Sequence, residues 1–220
     1  PRCATLSAMA DSTPMAQPTL PSARSPAAST DELAQALIHG RHTVLPRRLG
    51  LPGPDAAQTA RILGAAASAP DHHTLLPWRF IVVPEAARAR LGDAFAAALA
   101  QRDAQATAEQ IGQARDKAFR APLLMLAVAR LRDDDADIPP HERIVSAGCA
   151  IQNLLLMAHA LGFGAALTSG KALASAPLRA LFGLGEHEQA LCFISVGTVT
   201  RAKPARERPQ PSQYVSTLAP

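Results

Sequence analysis

The chain of 220 residues has few aromatic side chains: one Trp, one Tyr and six Phe, 4% in all. So few rings argue against the stacking platforms on which single-stranded nucleic acid is bound. Charged residues reach only 18% with a net charge of +4, and the arginines are scattered, so no basic stripe for a nucleic-acid backbone is present. Cysteine is limited to Cys3, Cys149 and Cys192, with no CxxC or CxxH spacing. That pattern argues against a disulfide framework and fits a reducing, cytoplasmic setting. Cys149 and Cys192 lie among apolar residues and read as small buried hydrophobes. No apolar run near the start is long enough for a signal-peptide core. The longest one, Val145 to Gly162, contains Gln152, Asn153 and His159 and reads as a core helix, not a membrane span.

Familiar catalytic signatures are missing too. There is no GxSxG elbow, and Cys149 falls mid-helix without a plausible base. The segment Gly162 to Lys171 invites comparison with a phosphate-binding loop but fails on detail. Five residues separate Gly164 from Gly170, and Ala172 stands where a magnesium-binding hydroxyl is required. Its small residues nevertheless let backbone N–H groups approach a planar ligand closely.

What is present is a globular composition, 48% hydrophobic, sized for one domain with a sizeable core. Residues 1–30, rich in Ala, Ser, Pro and Thr, read as a disordered leader. Residues 31–200 form the domain, and 201–220 an extended proline-rich tail. Ser29 and Glu32 make a capping-box pair that opens a helix ending near Gly40. Asp55 caps a second helix, expected to reach Ala69, beyond a Pro/Gly-punctuated loop. Further helices are expected over Pro84–Ala104, on to Phe119, over Glu142–Leu161 and over Ala176–Phe182. Strands are expected at Trp78–Val83, Pro122–Leu131, Ala165–Thr168 and Leu191–Thr198. The nearly continuous apolar run after Pro122 suggests a central strand covered on both faces. Asp133, Asp134 and Asp135 read as a solvated loop, with no metal site. Strands separated by helices, without a repeated βαβ unit, point to an α+β fold, a three-layer α-β-α sandwich.

Two constellations could carry chemistry. Arg41-His42-Thr43, with Arg47 and Arg48 close behind, offers bidentate guanidinium and a hydroxyl suited to a phosphate dianion. A solvated basic loop explains the same residues equally well. Ala69 to Phe80 joins a helix to a strand through a loop specified by Pro70, Asp71, His72, His73, Thr74 and Pro77. Its adjacent histidines lack a partner at metal-ligand spacing, so rim hydrogen bonding is the favoured reading. Trp78 reads as core packing.

In order and spacing these segments resemble the flavin-dependent nitroreductase family, in particular its small single-domain branch. Arg41-His42-Thr43 is similar to the family's phosphate-binding triplet, and Ala69–Phe80 to its helix–loop–strand motif. Gly148–Gly164 is similar to its long central helix, and Gly197-Thr198 with the tail from Lys203 to its last strand and basic extension. The resemblance spans about residues 31–210. It implies a mixed, mainly antiparallel sheet flanked by helices, with FMN at the interface of an intertwined homodimer. It also implies NAD(P)H as reductant and a nitroaromatic, quinone-like or other small molecule as acceptor, in a ping-pong cycle. Catalytic side chains are not required, because flavin N5 carries the chemistry.

By position, Arg41, His42 and Thr43 would hold the phosphate, helped by Arg206 or Arg208. Ser68 and His72 would reach the flavin from the other subunit. Leu167, Thr168, Ser169 and Gly170 would line the isoalloxazine, with a backbone N–H near Gly170 facing N5. The chain departs from the pattern at Thr74 and Leu76, where many relatives have Asn and Gln. Leu45 stands where a basic residue is common, with Arg47 as a substitute. A flavin carrier or regulator without turnover, and a flavin-degrading member of the same fold, are the rival readings.

Overall fold

The computed structural model describes residues 28–132, 137–202, 204 and 207–219. Arg206, Asp133 to Asp135 and all but the last residues of the expected leader lie outside them. Six helices and five strands alternate along the described chain. In order they are α1 Thr30–Gly40, β1 Leu49–Gly50, α2 Ala56–Gly64, β2 Trp78–Val82, α3 Arg88–Arg102 and α4 Ala108–Asp116. There follow β3 Leu123–Arg130, α5 Pro140–Ala160, β4 Gly164–Thr168, α6 Ala176–Phe182 and β5 Glu188–Val199.

Local chemistry sets most boundaries. The Ser29 N–H donates to Glu32 Oε2 at 2.9 Å, closing the first turn of α1. Asp55 accepts from the Gln58 N–H at 2.7 Å and caps α2. Gly162, at φ +85°, lets the chain turn out of α5, and the Phe163 N–H reaches back to Ala158 O at 2.9 Å. Two expectations need correction. The α2 helix ends at Gly64, and its continuation, Ala65–Ser68, tightens into a 3₁₀ turn. The loop after residue 43 contains the short strand β1, which pairs with Gly50 opposite Thr198. A two-residue strand has no periodicity to read.

The named strands form one sheet in the order β1-β5-β3-β2, with β4 also on β5, and every pairing is antiparallel. A single parallel bridge, Thr43 to Ala165, ties the segment after α1 to the outer edge of β4. On β3 alternate residues face opposite layers. Leu123, Met125, Ala127 and Ala129 meet α2 and α5, whereas Leu124, Leu126 and Val128 meet α3 and α6. The expected three-layer α+β sandwich and its doubly covered central strand are therefore observed.

On β5 Cys192 faces Ala127 but Ala190 faces Val128, so Leu191 is an extra residue in a bulge. That shift brings Ala190 and Phe193, three apart, to the same face. Cys192 is buried and its thiol is pushed up to about 11 by burial; Cys149 is only half-buried, contrary to expectation. The α5 helix buries one stripe, including Ala147, Ile151, Leu154 and Ala158, and leaves Val145 64% exposed. No helix among the described residues is long and apolar enough to cross a membrane.

Candidate functional site

The segment from Gly40 to Arg48 leaves α1, runs beside β4 and enters β1. It can lie that close because residue 164 is Gly. A Cβ there would sit 2.7 Å from Val199, 2.9 Å from Leu49 and 3.1 Å from Val44. The Val44 N–H donates to Ala165 O at 3.0 Å and fixes the register. Arg41, His42 and Thr43 are thereby held at one end of this strap, and Pro46 and Arg48 at the other.

Arg41, His42 and Thr43 line a cavity of about 540 Å³ together with Arg48, Arg201 and Arg208. Four arginines thus line one space, and among the described residues no carboxylate lines it. Arg208, from the tail, donates to the Arg41 carbonyl at 2.6 Å, neutralising the C-terminal end of α1. Burial, and then the neighbouring Arg208, lowers the pKa of Arg41. His42 Nδ1 donates to Gly40 O at 3.2 Å. Behind it His159 of α5 is also held below its usual range, first by burial and then by His42 and Arg41. The whole corner favours the arrival of an anion. Of the two arginines close behind the triplet, Arg48 lines the cavity and Arg47 does not. Arg201 was not singled out from the sequence, because only the sheet brings it to Arg41.

A second cavity, about 340 Å³, lies where Pro46 of the strap meets the end of β4. Thr168, Ser169 and Gly170 line it over a floor of Phe95, Leu99, Leu124 and Phe193. Strand alternation decides which β4 residue enters: Thr168 pairs with Phe193 on that face, whereas Leu167 pairs with Ile194 on the other. Leu167 is 43% exposed and does not share this cavity. The structure thus gathers the triplet with Arg208 and, beyond the strap, Thr168 to Gly170.

Ser68 and His72 join neither group. Ser68 is exposed at the end of its 3₁₀ turn. His72 lines a third cavity with Pro70, Asp71 and Glu142, and its Nδ1 donates to Glu142 Oε2 at 3.0 Å. This rim hydrogen bonding was expected, and no group of metal-ligating side chains occurs among the described residues. Trp78 is buried, with Nε1 donating to Ser146 Oγ at 3.1 Å.

The loop itself is strained. His73, Thr74 and Leu76 have φ of +55°, +54° and +49°, a region that non-glycine residues seldom enter. Asp71 Oδ2 accepts the Leu76 N–H at 2.7 Å, and an Arg130 N–H donates to the Leu76 carbonyl, so the turn is held from both sides.

Comparison with known proteins decides the kinship: residues 38–198 match the family model described as "Nitroreductase family". The chain belongs to the nitroreductase family. This family is a group of oxidoreductases. The chain is 34% identical over 172 residues to the candidate NAD(P)H nitroreductase YdjA of Escherichia coli (strain K12), covering 77% of this chain and 91% of that protein. A candidate NAD(P)H nitroreductase of Haemophilus influenzae is 36% identical over 152 residues, 69% of this chain and 82% of its own length. Among solved structures, the nitroreductase-like protein of Bacillus cereus superposes with a TM-score of 0.72 at 18% identity, over 89% of this chain and 99% of that one. The FMN-dependent nitroreductase NfnB of Mycobacterium smegmatis, solved in complex with NADPH, gives 0.68 at 18% identity, over 87% and 100%. These two likenesses show the nitroreductase fold.

Proposed function

We propose that this nitroreductase is a homodimeric FMN enzyme that passes hydride from NAD(P)H to nitroaromatic, quinone-like or other small acceptors in a ping-pong cycle. The observation that carries the reading is the cavity of Arg41, Arg48, Arg201 and Arg208, four cations with no carboxylate among the described lining residues, beside a second cavity lined on one side by Thr168, Ser169 and Gly170. The residues present fit a phosphorylated flavin. Burial first, and then repulsion from Arg208, lower the pKa of Arg41, and a phosphate dianion offsets both. Arg41, His42 and Thr43 hold it, and Arg208 assists. Thr168, Ser169 and Gly170 line the ring. When bound, FMN supplies a ring that accepts a hydride at N5 and passes it on.

The chain's own task is geometric and electrostatic. Gly170 has no side chain and nothing lies within 4 Å of where its Cβ would be, so the backbone there is open to a ring that rests on the apolar floor of Phe95, Leu99, Leu124 and Phe193. No side-chain nucleophile is needed. Ser68 and His72, which line neither cavity in one chain, reach the ring from the second subunit. The surface supports that pairing. The α1 helix buries none of its residues and exposes Leu33 and Ile38, while α5 exposes Val145.

Purified protein is expected to be yellow and to bleach with NAD(P)H under anaerobic conditions, recovering colour when an acceptor is added. Yellow protein that neither nicotinamide bleaches would show a carrier. Protein that cannot be reconstituted with FMN would refute the reading.

A further inference from the structure

The cavity beside Thr168 to Gly170 carries more positive charge than a flavin ring can use. Arg102 at the end of α3, Lys117 and Arg120 in the segment after α4, and Lys171 after β4 all line it. Among the described residues no Asp or Glu lines the space, and none of the four cations is ion-paired. The Arg41 cluster lines its own cavity, so a phosphate held there leaves these four charges uncompensated. Beneath them the floor is aromatic, with the rings of Phe95 and Phe193 edge to face at 5.4 Å between centroids. A cationic rim over an apolar floor is complementary to a flat molecule with an anionic group at its edge.

Resting on the flavin reading, we propose that the acceptor reduced here is an acidic aromatic molecule. Its carboxylate, sulfonate or phosphate docks on Arg102, Lys117, Arg120 and Lys171. Discrimination follows from charge: an anionic acceptor is drawn in, a neutral one gains nothing from the rim, and a cationic one is repelled. The phosphates of NAD(P)H share this chemistry, so the test separates the two sources.

The experiment compares 4-nitrobenzoate with its neutral analogue 4-nitrobenzyl alcohol under steady-state conditions, with flavin content measured on every sample. The wild type is expected to favour the carboxylate in kcat/KM by about tenfold at low salt, the effect of one charge-assisted contact. That preference shrinks at about 0.5 M salt, where exposed charges are screened. Arg102→Gln with Lys171→Gln brings the ratio close to one, whereas Lys171→Arg keeps it. A flavin-replete wild type with a ratio near one, or one insensitive to salt, would overturn the proposal. So would a double variant that raises only the KM for NAD(P)H, which assigns the cations to the reductant, or one that loses its flavin, which assigns them to the ring. Wild-type protein unable to bind FMN would overturn the flavin reading and this inference with it.

Discussion

Replacing Arg41 by Ala tests the phosphate corner quantitatively. Arg41 lies in a cavity with three other guanidinium groups, and its pKa is lowered by burial and by Arg208. It remains charged at any working pH, so the corner holds positive potential that an anion relieves. A contact to a charged group contributes about 1.5–3 kcal/mol. Arg41 is partly exposed, so solvent screening places the effect at the lower end, about 1.5 kcal/mol, or roughly a tenfold rise in the FMN Kd. Arg48, Arg201 and Arg208 stay in place, so binding is weakened, not abolished.

Riboflavin, which has the ring and lacks the phosphate, provides the control. Its affinity should change less than about twofold, because a guanidinium that contacts the phosphate and not the ring contributes little to a ligand without the phosphate. Titration of apoprotein by flavin fluorescence quenching measures both constants. The preference for FMN over riboflavin should also fall below about pH 6, where the phosphate loses its second charge. An equal loss for both ligands would show that Arg41 acts on the ring or on the fold. An unchanged FMN constant would place the phosphate elsewhere.

Three further outcomes follow from the same geometry. Thr74 holds φ +54°, a conformation Asn tolerates better than a β-branched residue, so Thr74→Asn should stabilise by about 1 kcal/mol and raise Tm by roughly 2–4 °C. A fall in Tm would mean that the Thr74 hydroxyl bond to the His73 carbonyl outweighs the strain. Arg88 is buried and donates to the carbonyls of Val83, Ala118 and Pro122 at 3.0, 2.7 and 3.1 Å. Arg88→Met leaves those acceptors dry and should cost about 3 kcal/mol or more; a loss below about 1 kcal/mol in urea unfolding would refute that role. The Glu188 carboxyl is held below its usual range chiefly by its hydrogen bond to Arg79, an ion pair at 2.6 Å. A depressed carboxylate pKa stabilises the fold above its unfolded value, and that contribution is lost as pH falls through the folded value. Glu188→Gln should therefore flatten the acid limb of the stability curve, and an unchanged slope would count against it.

Legibility followed the range of each interaction. The capping pair Ser29 and Glu32, the stop at Gly162 and the apolar strand after Pro122 are local signals, and each element appears where those residues put it. The end of α2 and the strand β1 were missed, because a 3₁₀ turn and a two-residue strand are set by what packs on them. The departures at Thr74 and Leu76 were visible as unusual residues, but their positive φ was not. That conformation is imposed by Asp71 on one side and Arg130, 54 positions away from Leu76, on the other.

The sequence by itself determined most of the secondary structure, the α+β sandwich and the nitroreductase kinship, since caps, periodicity and motif order are written in neighbouring residues. Tertiary structure alone decided which cations share a space. Arg41 and Arg48 are far in the chain from Arg201 and Arg208, and the two pairs meet because the strap, β5 and the tail converge at one sheet edge. Likewise the two-residue alternation along β4 sends Thr168 into the aromatic cavity and Leu167 away from it. An anion site is a sum of charges in space, and only the folded chain performs that sum.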